Sequence, residues 1–111
     1  MLRLTKQKAR HALNQLKEKL LARFAGKVQL YVYGSVARGD FGPESDIDVL
    51  VLLEQKMDYA LKDEIYDLAF DIELQENVVF GLLIESQVDW ESPLLQAMPI
   101  HKEIDREGIP A

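Results

Sequence analysis

At 111 residues, 48% of them apolar and none cysteine, the chain has material for one ordinary core but not for a disulfide framework or a thiolate zinc site. Charges run through its N-terminal segment, and no apolar stretch approaches the roughly 20 residues that cross a bilayer; this argues against a leader and a membrane partner and predicts a soluble, cytoplasmic protein. The formal charge of −6 is unevenly spread, with eight Lys or Arg against one Glu in residues 1–27 and five against eighteen acids thereafter.

The basic segment reads either as a solvated helix face or as a surface for an acidic partner, an RNA or a triphosphate tail. The acidic remainder makes nucleic acid an unexpected primary partner. From Leu4 to Ala25 the residues Leu13, Leu16, Leu20 and Phe24, extended by Ala9 and Ala12, fall at helical spacing, and Gly26 stops the helix. His11 on this helix reads as solvated. Val28, Leu30 and Val32 alternate with Gln29, Tyr31 and Tyr33 in a first strand, with one face in the core and the other partly open. Tyr33 reads as a residue that covers the sheet or packs beside a ligand.

Gly34-Ser35 follows at once, then a short helix carrying Val36 and Ala37 inward, with Arg38 one turn on. Gly34 lets backbone approach a phosphate, and Ser35 offers N–H and hydroxyl at a nascent helix N-terminus. Arg38 can clamp phosphate oxygens or pair with Asp40 or Glu44. Gly39, Gly42 and Pro43 return the chain to the sheet, and Ser45 is placed to hold the loop or to hydrogen-bond a carboxylate. The second strand, Ile47 to Leu53, is apolar on both faces apart from its opening acids, so it is expected to be central and covered.

Asp46 and Asp48 stand two residues apart at the mouth of that strand, so their side chains point the same way. Side by side they repel, and burying them is costly. A divalent cation relieves both. Hard carboxylate oxygens suit Mg²⁺, which completes its shell with water and substrate phosphates. A phosphate cradle facing a metal-binding pair implies a nucleoside triphosphate.

Asp58 is placed to cap a helix whose inner stripe is Leu61, Ile65 and Leu68. Phe70-Asp71-Ile72-Glu73-Leu74 then alternates cleanly and predicts a third strand. Gln75-Glu76-Asn77 reads as a turn, and Val78 to Ile84 as a fourth strand antiparallel to the third, unless the two form one kinked strand. Ser86-Gln87-Val88-Asp89 has the form of a capping box ahead of Trp90, a packing residue or a base-stacking platform. After Pro99 a last short helix turns Ile100 and Ile104 inward and ends at Gly108, with His101 exposed. Without repeats or linkers, residues 1–111 read as one domain. The fold class is α/β (α+β), a mixed sheet of about four strands flanked by helices.

Gly34-Ser35, ten residues, then Asp46-Ile47-Asp48 resembles the signature of the DNA polymerase β-like nucleotidyltransferase superfamily, with its palm-like domain. The filling of the loop, Ala37-Arg38-Gly39 and Ser45, and the C-terminal Arg106-Glu107-Gly108-Ile109 are similar to its minimal nucleotidyltransferase (MNT) branch. The resemblance implies transfer of AMP from ATP. Asp46 and Asp48 would hold Mg²⁺, while Gly34, Ser35 and Arg38 bind the phosphates and Ser45 supports the loop. In the family a third carboxylate comes from a strand beside the Asp-x-Asp strand and shares a second ion; Asp71 matches best, with Glu73 as rival. Members of this branch are typically antitoxins that modify a tyrosine of a HEPN-family toxin, which makes such a toxin the expected partner. Other readings are a catalytically silent module that neutralises its partner by contact, or an enzyme acting on a small molecule.

Overall fold

A computed structural model describes residues 3–111. Helix α1 (Lys6–Arg23) opens on Thr5, whose hydroxyl accepts the Lys8 N–H at 3.1 Å, and it buries Ala9, Ala12, Leu16 and Leu20. Strand β1 (Val28–Tyr33) leads into the single-turn helix α2 (Gly34–Arg38), and β2 (Ile47–Leu53) returns antiparallel to β1. Helix α3 (Tyr59–Glu76) starts at Asp58, which accepts the Leu61 N–H at 2.8 Å. It crosses over to β3 (Phe80–Ser86), which runs parallel to β2. Short helices α4 (Gln87–Trp90) and α5 (Pro93–Gln96) precede α6 (Pro99–Glu107), and Ile109–Pro110 form β4 against β1. The strand order is β3-β2-β1-β4.

Each face of the sheet has its own core. Ile47, Val49, Val51 and Leu53 of β2 pack with α1 and α3, whereas Leu50 and Leu52 pack with Trp90, Ile104 and the partly buried Tyr31 and Tyr33. The period-2 alternation of β2 thus serves both layers, which is why the strand is apolar throughout. Leu50 is 1% exposed and Val49 fully buried, each such side chain contributing about 1.5–3 kcal/mol.

Three expectations are corrected. The predicted strand over residues 70–74 is the last third of α3. Buried Leu61, Ile65, Ala69 and Ile72 make one helical stripe, which Ala69 brings up to the alternating run and Ile72 carries into it. No Gly or Pro interrupts it, and Asn77 closes the helix in the left-handed conformation at φ 56°. The strand after it begins at Phe80 rather than Val78 and is parallel to β2, because an 18-residue helix intervenes where a hairpin was expected. His101 is buried, its ring stacked on Trp90 at 4.1 Å between centroids and its Nδ1 3.0 Å from Asp105.

Candidate active site

Strand alternation puts Asp48 on the Leu50 side of the sheet, facing α6 and away from α1 and α3. Register sets Tyr33 of β1 opposite it on one side and Gly81 of β3 on the other. Its carboxylate lies in a slot that two glycines leave open. A Cβ at Gly81 would stand 2.6 Å from Asp48 Oδ1, and one at Gly34 would collide with Oδ2. Gly34 also holds a φ of +72°, which permits the turn from β1 into α2.

Burial pushes the Asp48 carboxyl above the usual range, and the charges of Asp46 and Glu103 push it further; Arg38 acts in the opposite sense. Tyr33 is raised by burial and then by Asp48 and Glu103. Among the described residues no ion pair reaches Asp46 or Asp48. Arg38 pairs with Asp40 and Glu107, reaches Glu103 at 4.0 Å and acts on Asp48, whose other acidic neighbours are Asp46 and Glu103. A surface this acidic repels a bare triphosphate. The slot cut by the two glycines and the unpaired aspartates together fit a hard divalent cation. Among the described residues, no group of three His, Asp or Glu gathers closely enough to hold one.

Ser35 follows Gly34 directly, and the first turn of α2 receives no side-chain cap. The first backbone N–H groups of a helix have no partner within it. Arg38 Nε lies 3.1 Å from Asp40 Oδ2, and Nη1 lies 3.1 Å from Glu107 Oε2 and 4.0 Å from Glu103 Oε1. It ties α2 to α6. Its pairing with Asp40 was foreseen, and its pairing with α6 was not. Ser45 accepts the Gly42 N–H at 2.8 Å and so fastens the loop that delivers Asp46.

Asp71 does not join this group. It is exposed on α3, which packs on the opposite face of the sheet from Asp48. Glu73 is also excluded, its Oε2 accepting the Phe80 N–H at 2.7 Å at the entry to β3. The residue that does stand beside Asp48 on the neighbouring strand is glycine. Sequence reasoning missed Gly81, Glu103 and Glu107. An isolated glycine within a strand marks a close approach, which was the available signal for Gly81. Glu103 and Glu107, one turn apart on a helix of mixed charge, read as solvent-facing.

The chain belongs to the nucleotidyltransferase domain family, whose sequence model matches residues 13–106. A Methanocaldococcus jannaschii protein, named provisionally as a protein adenylyltransferase, is 31% identical over 77 residues, covering 68% of this chain and 72% of the relative. The fold resembles that of a toxin–antitoxin complex solved with AMP-PNP (TM-score 0.58, 21% identity, 96% of this chain and 72% of that one). It also resembles a chain of the complex between the tri-AMPylated Shewanella oneidensis HEPN toxin and its MNT antitoxin (TM-score 0.51, 19% identity, 89% and 70%).

Proposed function

We propose that this nucleotidyltransferase moves AMP from ATP to a hydroxyl, most simply a tyrosine, of a HEPN-family toxin, and so acts as the antitoxin of the pair. The observation that carries the reading is the Asp48 carboxylate, lodged between Gly34 and Gly81 beside Asp46 and without a cation of its own. The relatives named above point the same way for partner and nucleotide.

Asp46 and Asp48 would hold Mg²⁺, which when bound neutralises phosphate charge and polarises the α-phosphorus. The Gly34 and Ser35 backbone would receive the triphosphate tail at the start of α2. Arg38 would keep α2 against α6 and temper the negative field at Asp48. With Asp71 on the far face, Glu103 would be the acid that accepts the proton of the incoming hydroxyl; α6 sets it 4.0 Å from Arg38, and its charge bears on both Asp48 and Tyr33. The hydroxyl oxygen attacks the α-phosphorus in line, the bond to the β-phosphate bridging oxygen breaks, and pyrophosphate leaves.

The test is incubation with Mg²⁺, α-labelled ATP and a HEPN-family partner encoded beside this chain. The partner should become labelled. Asp48→Asn should abolish labelling, and Glu103→Gln should slow it by about 10²-fold or more. Undiminished labelling by Asp48→Asn would overturn the site. A second reading, contact inhibition without catalysis, is favoured by one observation: glycine stands where a strand-borne third carboxylate would be. Neutralisation of the partner with no label transferred would establish it instead.

A further inference from the structure

The acids of α3 divide into two sets. Those turned toward the fold are engaged: Glu64 with Arg23, Glu73 with the Phe80 N–H, and Glu76 with Gln15 and His11. Asp63, Asp67 and Asp71 form an exposed row at four-residue spacing, and among the described residues no cation reaches them. Beside this row runs a second, Tyr66, Phe70 and Leu74, with 47%, 54% and 65% of each residue exposed. A helix of an isolated globular protein seldom turns three large apolar side chains to solvent in one line. The basic helix α1 does not cover them; its contacts with α3 are made on the Glu64 and Glu76 side.

We infer that this double row is a docking site for a cationic amphipathic helix of a partner protein. Apolar residues of that helix would lie on Tyr66, Phe70 and Leu74, with Lys or Arg one row over against Asp63, Asp67 and Asp71. A second copy of the chain fits poorly, because antiparallel α3 helices would set aspartate row near aspartate row in a molecule already at −6. The inference rests on the reading that the acceptor is a protein. It adds that the acceptor is held on the face of the sheet opposite Asp48, around the free edge of β3, so that anchoring and chemistry use separate surfaces.

Two probes keep this inference distinct from the function itself. The first is a synthetic helical peptide of about 20 residues, long enough to hold its helix, with a row of Leu flanked by a row of Lys; its binding to the full chain is followed by fluorescence anisotropy. It should bind, whereas a peptide of the same composition with the rows scrambled should not. Phe70→Ala, and separately Asp63→Lys with Asp67→Lys, should each weaken it by roughly tenfold. The second is the labelling reaction, where the same variants should raise KM for the partner and leave kcat unchanged. No binding, equal binding of the scrambled peptide, or a self-dimer in sedimentation that Phe70→Ala breaks would each overturn the docking site. Peptide binding without partner labelling would remove the enzymatic reading alone.

Discussion

Asp48 is the residue on which the proposed chemistry turns, and its surroundings raise its carboxyl pKa. Its carboxyl is raised by burial and by Asp46 and Glu103, so the native state holds that proton more tightly than the unfolded chain. The stability so contributed is complete below the ordinary carboxylate range and is lost as pH rises through the raised value. Asp48→Asn should therefore match the wild type in acidic thermal melts and exceed it near neutral pH, both without Mg²⁺. An Asn variant less stable at neutral pH would contradict this. For the same reason, Mg²⁺ affinity measured by calorimetry should fall as the solution is acidified through that range. Gly81 supplies a second check. A methyl group there clashes with Asp48 Oδ1, the end of a side chain that can rotate away while β3 stays paired, and its other near contacts are at ordinary distances. Gly81→Ala should keep its melting temperature and lose about 10²-fold in labelling rate, as expected for a displaced reactive group.

Among the elements, α3 shows how a local pattern yields to a longer one. Phe70, Ile72 and Leu74 alternate as in a strand, yet only Ile72 is buried, while Phe70 and Leu74 face solvent. The helix wins because Leu61, Ile65, Ala69 and Ile72 share one buried face along its length, a continuous contact that a five-residue strand could not match. Ile72→Ala should cost about 2–5 kcal/mol in denaturant melts. Asp71→Ala should change stability by no more than about 0.5 kcal/mol, with kcat for labelling unaltered. A loss of kcat in the Asp71 variant would restore that residue to the site. α6 is the opposite case, an element foreseen at its correct place whose acids took on an unforeseen task. Its Glu103 and Glu107 meet Arg38 across the site.

At the scale of the molecule, the uneven charge read from composition becomes an internal arrangement. The basic α1 lies beside the acidic α3, with Arg23 pairing to Glu64 and His11 to Glu76. Among the described residues Arg23 is the one Lys or Arg of α1 held in an ion pair, so most of the basic face stays open. The acidic residues that remain crowd the Asp48 side of the sheet and the outer face of α3. Arg38 is the cation that joins loop to helix there, through partners up to 69 residues away. Arg38→Ala should leave the melting temperature nearly unchanged, since exposed ion pairs contribute little. It should weaken Mg·ATP binding measured by calorimetry, because Asp48 loses the charge that favours its ionised form. Unchanged affinity would show that Arg38 has no part in holding the nucleotide. Among the described residues no helix is long and apolar enough to cross a membrane.

The sequence by itself determined the part of the site that is local. Gly34, Ser35, the loop fastened by Ser45, Asp46 and Asp48 all lie in the stretch from the end of β1 to the start of β2, so backbone periodicity and turn chemistry are enough to aim them. Asp58 and Ser86 were legible as helix caps for the same reason, each needing only an amide three residues on. Only the tertiary structure decided which residues come to Asp48 from elsewhere. The direction of β3 puts Gly81 beside it, the packing of α6 brings Glu103 and Glu107 to Arg38, and the placement of α3 carries Asp71 to the far face. Those outcomes follow from how faces of different elements bury one another, and a local pattern of alternating residues holds no information about its distant partner.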